Sequence, residues 1–161
     1  MLDATAGNRM LWRKNKFNKN TIFIDIKHNL KISPDVIADN RFCPFRDDVF
    51  ECIIYDPPHW FDYGTPAPYW DKPNENYYGY DDDRLGGKAR RQKLLVSIIK
   101  AQKEFERLTS RLCFKWTDNP RTISIWNMIP LFKNWREVGR LKKPRPSKST
   151  TYWITFVRSI D

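Results

Sequence analysis

Apolar residues in this 161-residue chain gather into short runs separated by polar turns. Residues 21–26 are β-branched or aromatic except for Asp25, the composition of a buried strand. Residues 36–38 and 52–55 read as two further strands, each followed directly by an aspartate, Asp39 and Asp56. Residues 2–4 read as a very short opening strand, and residues 8–17 fit a helix between the first two strands. Strand, helix, strand, turn, strand, turn, strand predicts a parallel sheet with its loops gathered at the carboxyl ends of the strands.

From residue 85 the period changes. Leu94, Leu95, Ile98, Ile99, Phe105 and Leu108 recur near helical spacing, so 85–110 reads as one long helix. Residues 112–116 predict a fifth strand and 123–132 a helix, despite Pro130. Residues 135–141 and 150–157 predict two closing strands joined by a basic turn over 142–148. Between the two halves, residues 57–80 hold seven prolines or glycines and eight aromatics, a loop long enough to be either functional or disordered. No internal repeat or linker interrupts this order. The length favours one α/β domain over 1–161, since a second would be left with too little core.

Composition narrows the function. Aromatics at 15%, seven of them tryptophan, are too many for a disordered chain. No apolar run is long enough to span a bilayer and no charged-then-apolar leader opens the sequence, so a cytoplasmic protein with no membrane partner is expected. Cys43, Cys52 and Cys113 match neither a disulfide framework nor a zinc-site spacing; buried reduced thiols, and no metal, are expected. The net charge of +10 is unevenly spread. Residues 84–111 carry nine basic and two acidic side chains, and 131–158 eight and one. Residues 51–83 set Lys72 alone against eight carboxylates. Basic stretches of this kind suit a polyanion, here nucleic acid.

The candidate chemistry sits at strand ends. Asp3, Asp25, Asp39 and Asp56 each stand at or just past a strand terminus, where ligands of open α/β sheets bind, so the four could share one crevice. Asp3, Thr5, Ala6 and Gly7 form a strand-to-helix turn whose small residues allow close backbone approach to a ligand. Asp25 lies 18 residues after Gly7, where a ribose-binding acid belongs. In Asp56-Pro57-Pro58-His59 two prolines fix the directions of the Asp56 carboxylate and the Pro57 carbonyl. Two acceptors held together suit an amino group with two N–H donors, and the flat His59 can stack on the ring that bears it.

These segments together resemble the amino-methyltransferases, S-adenosylmethionine-dependent enzymes that methylate exocyclic amines of DNA bases, the adenine-specific ones most of all. Asp3 to Gly7 is similar to the family's first cofactor motif, Asp25 with Ile26 to its ribose-binding acid, and Asp39, Asn40 and Phe42 to the segment holding the cofactor's adenine. Asp56, Pro57, Pro58 and His59 resemble the catalytic tetrapeptide. Thr5 stands where the family usually has an aromatic residue, Arg9 where it has a second glycine, and His59 where it has Tyr or Phe. The resemblance covers nearly the whole chain and implies a Rossmann-like class I methyltransferase domain, mostly parallel with an antiparallel last strand, binding S-adenosyl-L-methionine. No separate target-recognition domain is found.

The implied substrate is an adenine flipped out of double-stranded DNA. Lys88, Arg90 and Arg91 on the long helix and Lys142, Lys143, Arg145 and Lys148 on the closing turn are the expected phosphate contacts. Two alternatives stay open: an RNA base amino-methyltransferase, favoured by the aromatic loop, and a non-catalytic nucleic-acid-binding module that keeps the fold. Cytosine-carbon methyltransferases fit poorly, because they need a Pro-Cys nucleophile and this chain has Cys43-Pro44. The sequence sets no oligomeric state; a homodimer is compatible with it.

Overall fold

The computed structural model describes residues 1–57, 87–120, 122–145 and 149–159. Strands β1 (Leu2–Asp3), β2 (Ile22–Asp25), β3 (Val36–Ile37) and β4 (Ile53–Tyr55) precede helix α1 (Gly87–Leu108). Strand β5 (Arg111–Asp118), the single-turn helix α2 (Ile125–Met128) and strands β6 (Trp135–Pro144) and β7 (Thr150–Arg158) follow. One seven-stranded sheet results, in the order β3-β2-β1-β4-β5-β7-β6. Strands β1 to β5 pair in parallel; β7 is antiparallel to both β5 and β6, so it alone runs against the rest. The expected mostly parallel sheet with an antiparallel last strand is observed.

The core lies between the sheet and α1. Leu94, Ile98, Ala101, Phe105 and Leu108 are fully buried at helical spacing, and Phe105 meets Tyr55 of β4 edge-on at 5.0 Å. Register places Tyr55, Phe114 and Ile154 side by side on this face. Phe132, just past α2, closes the same face, its ring centroid 4.8 Å from those of both Phe114 and Phe156. Burial of these rings is the main stabilising term, at roughly 1.5–3 kcal/mol for each fully buried side chain. The opposite face carries Asp3, Ile54, Cys113 and Thr155 in one row and Lys115 beside Trp153 in the next. Over β1 and β2 that face is covered by Trp12, which packs edge-on against Phe23 at 5.2 Å.

Three sequence expectations are corrected. Residues 8–17 form no helix; a 3-10 turn over Met10–Trp12 is all that appears. Arg9 and Arg13 flank it with positive φ of 55° and 41°, a left-handed backbone that a right-handed helix cannot continue through. Arg9 is held there from a distance: its guanidinium donates to Lys16 O, Ser33 O and Asp35 Oδ1 and lies 4.0 Å over the Phe23 ring. The helix expected over 123–132 is one α turn capped by Ser124, followed by a 3-10 turn over Ile129–Leu131. Pro130 cannot donate the next α-type hydrogen bond, so the chain tightens there. Lastly, Lys142 and Lys143 belong to β6, opposite Tyr152 and Thr151, and not to a turn. The described edges of the hairpin loop are joined by the Arg145 N–H bond to Ser149 O, 2.9 Å.

Cys43 is buried, Cys52 and Cys113 are half-buried, and all three are free thiols. Burial pushes Cys113 up to about 11 and Cys43 up to about 12, and raises Cys52 as well, so all three remain protonated at neutral pH. No described helix is long and apolar enough to cross a membrane.

Candidate active site

The carboxyl ends of β1, β4, β5 and β6 and the amino end of the antiparallel β7 surround a cleft of about 550 Å³. Thr5 and Ala6 form its first wall, Asp56 and Lys115 its floor, Thr151 and Trp153 its second wall, and Arg13, Lys143 and Arg145 its basic rim.

The turn after β1 is wired to its neighbours through backbone amides. Gly7 has φ 47°, a conformation open to glycine at little cost, and this aims its N–H at Asp25 Oδ2, 2.9 Å away. Asp25 Oδ1 accepts from Lys27 N–H at 2.9 Å, so the carboxylate at the end of β2 is fixed by two main-chain donors. The Thr5 hydroxyl accepts the Asp56 N–H at 2.8 Å, joining the first turn to the end of β4. Asn40 donates to Ala4 O at 3.1 Å, joining it to the segment after β3.

Asp3 lies beneath this turn and is fully buried. Its carboxylate accepts from Thr5 N–H and from the Trp12 indole at 2.7 Å. Desolvation raises its pKa from 3.8 to about 6, with the nearby charges of Asp56 and Asp25 adding to the rise. Those three carboxylates therefore share one neighbourhood. Asp39 turns elsewhere: the Arg41 guanidinium grips it bidentately and holds its carboxyl below the usual range. Ile26, just past β2, and Phe42, in the segment after β3, are 62% and 72% exposed.

Asp56 is half-buried and Pro57 buried at the end of β4. Pro58, His59 and the aromatic stretch lie outside the described residues, as does Lys148. Lys88 and Arg91 are exposed on α1, which also carries Arg90. Lys143 and Arg145 border the cleft, whereas Lys142 pairs with Tyr152 and by strand alternation belongs to the opposite face.

Sequence reasoning missed Lys115. It stands mid-strand in β5 and its Nζ lies 2.5 Å from Asp56 Oδ2, with both side chains largely buried, and 5.9 Å from the Trp153 ring. A polar residue among the alternating apolar positions of a strand was its only local signal.

In sequence, the chain matches no family model and no curated protein. Solved structures do match. PH0226 protein from Pyrococcus horikoshii OT3 aligns with a TM-score of 0.59 at 11% identity, over 98% of this chain and 82% of its own. N-methyltransferase NodS from Bradyrhizobium japonicum WM9 aligns at 0.53 and 12% identity, over 99% and 84%. It has also been solved with S-adenosyl-L-homocysteine, and that structure aligns at 0.53 and 11% identity, over 98% and 75%. The fold is Rossmann-like, of the methyltransferase type. The [4+2]-cyclase SpnF shares it at 0.56 and 8% identity, over 99% and 74%, so this methyltransferase-type fold also carries other chemistry.

Proposed function

We propose that the protein is an S-adenosylmethionine-dependent methyltransferase that modifies the exocyclic amine of adenine in DNA. The observation that carries this reading is the joining of three segments at one end of the sheet. The turn over Thr5 to Gly7, the amide-fixed carboxylate of Asp25 and the Asp56-Pro57 strand end are tied by direct hydrogen bonds. The residues present fit the cofactor. Each Asp25 oxygen accepts one backbone N–H and has a second lone pair for a ribose hydroxyl, while exposed Ile26 and Phe42 offer apolar surface to an adenine ring. Bound there, S-adenosylmethionine supplies a sulfonium methyl group and is left as the neutral thioether.

The chain's own part is orientation. An aryl amine is a poor nucleophile because its lone pair is delocalised into the ring. Asp56 and the Pro57 carbonyl accept its two N–H bonds, draw the nitrogen toward tetrahedral geometry and so release that lone pair. Holding the amine in line with the methyl group is the main catalytic contribution. After the new N–C bond has formed, the nitrogen's extra proton passes through the Asp56 carboxylate to solvent. Exposed Lys143 and Arg145 at the rim, with Lys88, Arg90 and Arg91 on α1, would hold phosphates. Incubation with methyl-labelled cofactor and either duplex DNA or total RNA, followed by nucleoside analysis, tests the reading. Label in N6-methyladenine from DNA is the expected result, label in RNA nucleosides alone moves the substrate to RNA, and no transfer to either refutes it.

A further inference from the structure

We infer that Lys115 reads the ring nitrogen next to the target amine, so that Asp56 and Lys115 together recognise an amidine-type edge. This deepens the function proposed above and rests on it. The two side chains meet at 2.5 Å on the cleft floor, an acceptor beside a donor. An ammonium has three N–H donors and no acceptor. One points to Asp56, and Lys115 borders the cleft with only 13% of its side chain exposed, so a guest on that floor meets a desolvated donor.

In adenine the exocyclic amine and a ring nitrogen are separated by one carbon, giving a donor and an acceptor side by side. The Asp56–Lys115 pair offers the complementary acceptor and donor in the same order. A primary alkyl amine has no neighbouring acceptor and is protonated at neutral pH, so it presents a cation to Lys115. The pair therefore favours a heteroaromatic amine over an alkyl amine. Trp153, directly opposite Lys115 on β7, keeps the ammonium against an aromatic face and limits where it can move.

The test uses DNA oligonucleotides carrying adenine, 1-deazaadenine or 7-deazaadenine as substrates for the wild-type protein, Lys115→Met and Lys115→Arg. On adenine, Lys115→Met is expected to lose about 10- to 100-fold in kcat/KM, the range for a hydrogen bond to a charged group. The wild type should lose a similar factor on 1-deazaadenine, which lacks the ring nitrogen one carbon from the amine, but not on 7-deazaadenine, and Lys115→Met should lose nothing further on 1-deazaadenine. Lys115→Arg, which keeps charge and donors, should retain the wild-type ordering of substrates. A wild type that methylates 1-deazaadenine as well as adenine overturns the inference without any variant, and so does an equal loss in Lys115→Met on all three substrates. A wild type that methylates none of the three removes the underlying function as well.

Discussion

Replacing the buried Asp3 by asparagine should change how stability depends on pH. In the folded chain Asp3 is fully buried and its carboxyl is raised from 3.8 to about 6, chiefly by desolvation. Below pH 4 it is protonated whether the chain is folded or not, and ionisation costs nothing. Between pH 4 and 6 the unfolded chain releases the proton and the folded chain keeps it, so stability falls as pH rises. Above pH 6 the carboxylate is charged in both states and the full cost is present. At about 1.4 kcal/mol per tenfold change in proton affinity, that cost is about 3 kcal/mol. Asparagine does not titrate, and its single oxygen can still accept from the Trp12 indole. Urea unfolding followed by tryptophan fluorescence, at intervals from pH 4 to 7.5, gives the stability of each protein. Across that window the wild type should lose roughly 2.4 kcal/mol relative to Asp3→Asn, because the unfolded chain is already partly ionised at pH 4. A difference that stays constant with pH, whatever its size, would refute the claim that Asp3 is a desolvated acid.

Asp25→Ala should weaken S-adenosylmethionine binding by about 1–3 kcal/mol in calorimetry, because it removes both the proposed ribose acceptor and the anchor of the Gly7 amide. Asp56→Ala should retain much of that affinity while losing methyl transfer; near wild-type turnover would rule out the mechanism. Changing Lys142, Lys143, Arg145 and Lys148 together to alanine should weaken DNA binding and lower the salt slope by about 0.9 for each phosphate left without its cation, with cofactor affinity unaltered. Arg9→Gly would relieve the positive φ, yet it should destabilise the fold by about 2–3 kcal/mol in urea. The guanidinium's three hydrogen bonds and its packing on Phe23 outweigh the backbone strain.

What the sequence revealed and what it concealed divide along a physical line. Strand ends were legible because chain direction and turn chemistry are local: an apolar run closing on Asp25 or Asp56 announces both the strand and the group that leaves it. The two-proline turn at Asp56 carried its rigidity in its own covalent structure. The missing helix after β1 could not be foreseen, because nothing within residues 8–17 forbids it. The left-handed turn at Arg9 is fixed by Ser33 and Asp35, more than 20 residues away, and by a ring in the neighbouring strand. Lys115 was hidden for the same reason. A lysine in a strand ordinarily faces water, and only the parallel pairing of β4 with β5 brings its ammonium under Asp56, 59 residues earlier. The fold therefore adds a cation to a site that local sequence presents as purely acidic. On the proposed function that addition matters: three carboxylates crowded at one sheet end would repel a polyanion, and Lys115 within the cleft, with Lys143 and Arg145 at its rim, would offset that repulsion at the cleft mouth.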